Sequence, residues 1–375
     1  MQFTIHNQVL LSAFVVAAFL GAIVNKTNFC TMGAVSDWVN MSDTGRLRSW
    51  LLAIAVAIAC VLALEASGRV NLSDATFPPY RSANFAWLRD LLGGAMFGIG
   101  MTLASGCGNK TLVRLGGGNL KSLVVLAIAS VMAYLMIWSD FYGVLFDSWM
   151  APLAIGLDQY GIKSQALDAI LGGVLGMENT AALHLTMGGA IVAGLLIFIF
   201  SSGEFRANRD NLLGGAAVGV AVAAGWAITG GGIGQAWKEW AEMADTLPSR
   251  VSTQSFTFVS PMGDAVHYLM DPANLSLINF GIAAFAGVIV GSFIYAVASR
   301  SFRFEWFASP GDFVNHALGA VLMGVGGVLG MGCSIGQGVT GVSTLALGSL
   351  LALAAIIAGS AGTMKFQYWK MMREP

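Results

Sequence analysis

The sequence predicts an all-α polytopic membrane protein: about nine transmembrane helices with short re-entrant helices between them, built as an inverted internal repeat. Three observations predict it. Of the 375 residues, 56% are hydrophobic and only 10% are charged, a composition that suits burial in lipid rather than a water-facing shell. Apolar runs close to the ~20 residues needed to cross a ~30 Å hydrocarbon layer recur along the whole length, with short connections between them. Sliding the sequence by 226 residues places Gly93, Gly98, Gly100, Leu103, Gly106 and Cys107 on Gly319, Gly324, Gly326, Leu329, Gly332 and Cys333. So dense a match marks one structural unit used twice.

The nine spans are expected near 8–24, 50–66, 88–104, 122–138, 181–200, 212–228, 276–298, 313–331 and 343–361. The first begins close to Met1, with no basic segment before it and no small-residue cleavage site after it, so it reads as a retained span. Lys and Arg accumulate in cytoplasmic loops. With the N-terminus outside, the inner loops and tail hold thirteen such residues and the outer loops six, which predicts N-out and C-in. Residues 1–375 then form a single transmembrane domain. Its first pseudo-repeat is 8–138, a linker with the fifth span is 139–211, and the second pseudo-repeat is 212–361. One odd crossing between the copies turns the second upside down and brings Cys107 and Cys333 towards mid-membrane from opposite sides. A further crossing at 167–177 would make the copies parallel.

Four stretches, 28–39, 108–115, 256–270 and 334–342, are too short or too polar to span and read as re-entrant pieces. Backbone of that kind at membrane depth must be buried in protein or line a polar cavity, so together they imply a central polar site. In a weaker match between the copies, Ser255-Phe256-Thr257 lies where Asn28-Phe29-Cys30 would be expected. The Asp-rich region 139–180 is expected against the outer face. In the long connection 229–275, the segment carrying Trp237, Glu239, Trp240, Glu242 and Asp245 reads as an interfacial helix. Glu65, Asp90, Glu178 and Asp312 fall at span ends, none deep enough to read as a proton-coupling acid.

The four cysteines contain no CxxC, and the four histidines are scattered singly at 6, 184, 267 and 316. That pattern gives no metal centre and no cofactor ligand set, and nothing in it reads as a catalytic constellation. A net charge of −1 without a basic arm gives no reason to expect nucleic acid; the partner that composition does demand is membrane lipid. Cys60, inside an apolar run, reads as packing. Cys107 and Cys333 differ because each sits in a polar turn: Gly106 and Gly108 flank the first, with Asn109 and Lys110 following, and Gly332 and Ser334 flank the second, with Gln337 following. Cys30 stands in the re-entrant stretch Asn28-Phe29-Cys30-Thr31. Thiols are weak, polarizable donors that suit a soft sulfur-bearing anion without trapping it. Uncompensated charge in hydrocarbon is costly, so backbone amides at half-helix N-termini must supply most of the stabilisation, with Lys110, Arg114 and Lys121 drawing the anion in. A Cys107–Cys333 disulfide, within a membrane thiol oxidoreductase, is the alternative from another class.

At these residues the sequence resembles the YeeE/YedE family of bacterial membrane proteins. The resemblance rests on Asn28-Phe29-Cys30-Thr31-Met32-Gly33, on Phe97-Gly98-Ile99-Gly100-Met101 leading to Gly106-Cys107-Gly108, and on Leu322-Met323-Gly324-Val325-Gly326 leading to Gly332-Cys333-Ser334-Ile335-Gly336-Gln337-Gly338. It implies an hourglass-like bundle in the bacterial inner membrane that takes up thiosulfate. A selenium or other sulfur species is the alternative cargo. It further implies three functional cysteines, Cys30, Cys107 and Cys333, passing the anion by S–H···S hydrogen bonds, and a small cytoplasmic sulfurtransferase-like partner. The chain departs from that pattern in a longer 139–180 region and in Asn109-Lys110 after the second cysteine.

Overall fold

The computed structural model describes residues 4–72, 76–176, 180–244 and 246–373. Glu178 and Asp245 lie outside the described residues. The fold is helical nearly throughout. In chain order come α1 (Ile5–Thr27), α2 (Thr31–Met41), α3 (Gly45–Ala66), α4 (Trp87–Leu103), α5 (Gly108–Gly116) and α6 (Leu120–Trp138). The single turn α7 (Ser148–Met150), α8 (Leu167–Leu175), α9 (Ala181–Phe200) and the short α10 (Gly203–Ala207) follow. The second half contains α11 (Arg209–Gly230), α12 (Gly232–Glu242), α13 (Ser260–Met270), α14 (Phe280–Ala298), α15 (Pro310–Leu329) and α16 (Leu347–Met371).

Nine of the helices described are long and apolar enough to cross a membrane, at the nine places the hydropathy marks. The protein is a multi-pass membrane protein. Each predicted re-entrant stretch is a short element: α2, α5, α13 and a π-helical segment Gly336–Gly341. α8 has nine residues and at 1.5 Å per residue cannot cross. The only strands among the described residues are two-residue pieces. Thr76–Phe77 pairs in parallel with Thr253–Gln254, and Asn84–Phe85 pairs antiparallel with Ile155–Gly156.

In lipid, helix association comes from close van der Waals packing, which small residues permit. The repeat glycines do this reciprocally between α4 and α15. A Cβ on Gly93 would stand 2.2 Å from the Gly330 nitrogen, and one on Gly326 would stand 2.8 Å from the Gly93 oxygen. At the other end of the contact, a Cβ on Gly100 would stand 2.7 Å from the Gly319 oxygen, and one on Gly319 2.7 Å from the Gly100 oxygen. The two backbones touch with nothing between them. α9 stands apart from this core, with only Gly188 and Ile199 buried along its length.

In the Trp-rich helix α12, which the sequence marks as interfacial, Trp237 is fully buried against the rest of the protein. Its indole donates to His6 Nδ1 at 3.0 Å, and Trp240 stacks on the same ring at 5.5 Å. A polar partner on α1 for the indole N–H is what allows so large an aromatic to be buried there.

Candidate functional site

Three cysteines share a local signature. In each, a left-handed non-glycine residue follows a helix, one residue intervenes, and the cysteine leads into the next short element. The left-handed residues are Asn28 (φ 57°), Ser105 (φ 56°) and Met331 (φ 56°), each two positions before Cys30, Cys107 and Cys333. Asn tolerates that conformation, but a methionine there costs roughly 1–2 kcal/mol, so the turn at Met331 is held by its surroundings. The closing hydrogen bonds also repeat: the Gly106 amide donates to Met101 O at 2.9 Å and the Gly332 amide to Gly327 O at 2.7 Å. After the cysteine, the Thr111 amide donates to Cys107 O at 2.9 Å and the Gln337 amide to Cys333 O at 2.7 Å.

This geometry aims backbone dipoles at sulfur. The Gly33 amide donates to Cys30 Sγ at 3.4 Å, and the Gly336 amide to Cys333 Sγ at 3.4 Å. The Lys110 amide faces Cys107 in the same sense. The turns meet in the core. The Cys30 and Cys107 side chains face each other, and Cys107 also faces the Ser334 hydroxyl. A Cβ on Gly108 would lie 3.8 Å from Cys333 Cβ, so the Cys107 turn abuts the Cys333 turn. All three are buried free thiols; Cys60, half-buried, lies away from them on α3, in a groove it shares with Val220 and Ala223.

The flanking residues divide by role. Lys110 and Arg114 pack over Gly106 at ordinary contact distance: a Cβ there would lie 3.5 Å from Lys110 Cβ and 3.6 Å from Arg114 Nη1. Lys110 is buried and donates to Asn28 Oδ1, tying the second turn to the first. Gly332 makes room for Gln337, whose amide side chain donates to Gly330 O at 2.6 Å. The Asn109 Oδ1, Ser334 Oγ and Gln337 Oε1 atoms are buried without a hydrogen-bond partner among the described residues, as are Thr31 Oγ1 and Thr257 Oγ1. Buried polar atoms are nearly always satisfied in native proteins, so these orphaned atoms beside the thiols are available to a polar guest.

On one side of the cysteines a cavity of about 590 Å³ opens, lined by Asn28, Ser105, Lys110, Arg114, Lys121 and Arg303 among others. At its rim Lys121 is neutralised by Asp312 at 2.8 Å, and Asp312 also holds His316 at 3.0 Å. Lys110 and Arg114, nearer the thiols, bind only neutral oxygens, those of Asn28 and Ser105. The vestibule therefore holds Lys110 and Arg114 near the thiols, with the Lys121–Asp312 pair and Glu305, which accepts from Asn119, also in its lining.

The family described as sulphur transport matches residues 26–362. The chain belongs to this family, that of the YeeE/YedE proteins. Among the family's characterised relatives, it is 27% identical over 365 residues to thiosulfate transporter TsuA of Escherichia coli, covering 93% of this chain and 92% of the relative. It is 24% identical over 353 residues to thiosulfate transporter TsuA of Spirochaeta thermophila, covering 93% and 96%.

Two residues near the cysteine turns, Tyr80 and Arg46, carry no signal in the sequence, and Thr257 carries only a weak one. Tyr80 donates to Gly336 O at 2.8 Å across 256 residues of chain. Arg46, paired with Asp37 at 2.6 Å, lies where a Cβ on Gly33 would be, on the first turn of α2 beside Cys30. Thr257, the weak counterpart of Cys30, sits against Gly336, with its hydroxyl 2.4 Å from where a Cβ of that glycine would stand. Spacing could not have found the first two, since each comes from a segment outside the repeat motifs.

Proposed function

We propose that this protein is a bacterial inner-membrane uptake transporter for thiosulfate, and that Cys30, Cys107 and Cys333 relay the anion by S–H···S hydrogen bonds. The observation that carries the reading is the convergence of three free thiols, each two residues after a left-handed residue and with an amide aimed at its sulfur, beside a cavity to which Lys110 and Arg114 contribute cationic charge. Both named relatives are thiosulfate transporters along nearly their whole length, which supports the substrate.

A soft anion crossing the site exchanges water for weak donors, one thiol at a time, and no fixed counter-ion at the centre holds it. Gly106, Gly108 and Gly332 shape the turns; Ser334, Asn109 and Gln337 supply polar atoms for the anion's oxygens; Lys110 is its first cation at the vestibule. The thirteen-to-six excess of basic residues supports an N-out, C-in orientation, which makes the vestibule cytoplasmic. The reciprocal α4–α15 contact supports the inverted repeat, with 8–138 and 212–361 as its copies and 139–211 as the linker. A small cytoplasmic sulfurtransferase-like protein is the partner that would receive sulfur at that mouth.

Labelled thiosulfate uptake by proteoliposomes of the purified protein tests the reading. Uptake should be competed by unlabelled thiosulfate and little by sulfate, which offers oxygen but no soft sulfur. Uptake that sulfate competes as well as thiosulfate does would overturn the soft-donor argument, and selenium compounds competing better than thiosulfate would reassign the cargo.

A further inference from the structure

We propose that Asp90 is a proton-binding site linked to anion binding at the Cys333 turn, so that a proton accompanies the transported anion. The inference rests on the thiosulfate-transport reading above.

Asp90 lies in the first turn of α4 and is almost completely buried, and its Oδ1 has no hydrogen-bond partner among the described residues. The charged group closest to it among the described residues is Arg89, its neighbour on the same helix. The Arg89 Nε stands 3.9 Å from Asp90 Oδ1 and is itself without a hydrogen-bond partner, because neighbouring positions on a helix do not face each other. From the other elements packed there, Asp90 meets uncharged groups. A Cβ on Gly348, in the opening turn of α16, would lie 2.5 Å from Asp90 Oδ2 and 2.7 Å from Gln165 Oε1. The nearby acids Glu65 and Asp168 are occupied elsewhere: both hold His184, at 3.1 and 2.9 Å, and Glu65 also pairs with Arg81 at 2.6 Å.

Two connections run from this carboxyl to the site. Arg89 Nη2 contacts Met331 Sδ at 3.0 Å, the left-handed residue of the Cys333 turn. Ser349 follows Gly348, and its Oγ and the Gln337 Oε1 flank Gly341, at 2.4 and 2.6 Å from where its Cβ would be. Ser349 Oγ, Gln337 Oε1 and Ser334 Oγ are, like Asp90 Oδ1, buried and unpartnered. Orphaned polar atoms thus lie both on the opening turn of α16 that covers Asp90 and on the Cys333 turn.

The linkage follows from charge. In a low-dielectric interior like charges repel strongly, so a dianion at the Cys333 turn and an ionised Asp90 disfavour each other. One proton bound at Asp90 removes that charge, and by reciprocity the anion favours the proton as much as the proton favours the anion. No covalent bond changes; the proton enters and leaves the carboxyl.

The test is labelled-thiosulfate transport by proteoliposomes of the full chain loaded with a pH-sensitive dye. Wild type should show counterflow, net uptake stimulated by an inward proton gradient, and internal acidification in step with uptake. Asp90→Asn, shaped like the protonated acid, should keep counterflow while losing the gradient response and the acidification. Wild-type uptake without proton movement, or acidification unchanged in Asp90→Asn, would overturn the assignment alone; absence of counterflow in wild type would overturn the transport reading and this inference with it. Asp90→Glu gives a second reading independent of the Asn variant's folding: the pH of half-maximal uptake should shift, and an unmoved profile would overturn the assignment.

Discussion

The Cys107 and Cys333 turns share a backbone and differ in nearly everything attached to it. Both are closed by the same pair of hydrogen bonds after a left-handed residue. After Cys107 comes the α-helical Gly108–Gly116, whose Lys110 and Arg114 face a wide cavity. After Cys333 comes the π-helical Gly336–Gly341, every residue of which is buried, with one hydroxyl (Thr340) and one side-chain amide (Gln337) but no charge. The duplicated framework places the thiols, and the side chains that follow give the site its electrical direction. On the proposed route, an anion meets uncharged donors on one face of the thiol cluster and unpaired cations on the other.

That contrast can be broken most severely at the thiols. Cys107→Ala and Cys333→Ala should each reduce thiosulfate uptake to the level of empty vesicles while leaving protein abundance in the membrane unchanged; equality of the two is the point, since the framework treats them alike. The next effect should be one-sided. Lys110→Met removes a charge-assisted contact of about 1.5–3 kcal/mol and should raise KM for uptake about tenfold or more, whereas Gln337→Met on the uncharged side should lower the maximal rate with less effect on KM. Uptake at graded thiosulfate concentrations separates these outcomes. Smaller and purely structural is the shared contact: Gly100→Ala or Gly319→Ala drives a Cβ to 2.7 Å from opposing backbone, and overpacking of that kind costs about 1–3 kcal/mol. Thermal unfolding in detergent should show a lowered Tm for both, against Gly189→Ala, where the Cβ meets open space. Cys60→Ala should change neither uptake nor Tm.

Much of this was legible in the chain because lipid imposes a simple rule. A span must be apolar for about 20 residues, so the nine spans could be read directly, and a re-entrant piece betrays itself by interrupting that pattern with Asn28, Asn109, Lys110 or Gln337. The cysteines could be paired because a repeat leaves identical glycines at a fixed offset. What the chain concealed is of two kinds. Residues that serve the site from outside the repeat, such as Tyr80 and Arg46, depend on how distant segments pack, and nothing near them in sequence reports it. Depth is the other. Asp90 at a span end reads as an interfacial acid, yet Gln165 and the opening turn of α16 cover it, and Trp237 in an amphipathic stretch is buried because His6 on α1 waits for its N–H.

The most direct measurement of the central claim is an experimental structure of the protein with thiosulfate bound. The account predicts ligand density among Cys30, Cys107 and Cys333, with the terminal sulfur within hydrogen-bonding distance of at least two thiols and the oxygens toward Ser334, Asn109 or Gln337. Thiosulfate held only in the vestibule by Lys110 and Arg114, with the thiols untouched, would contradict it.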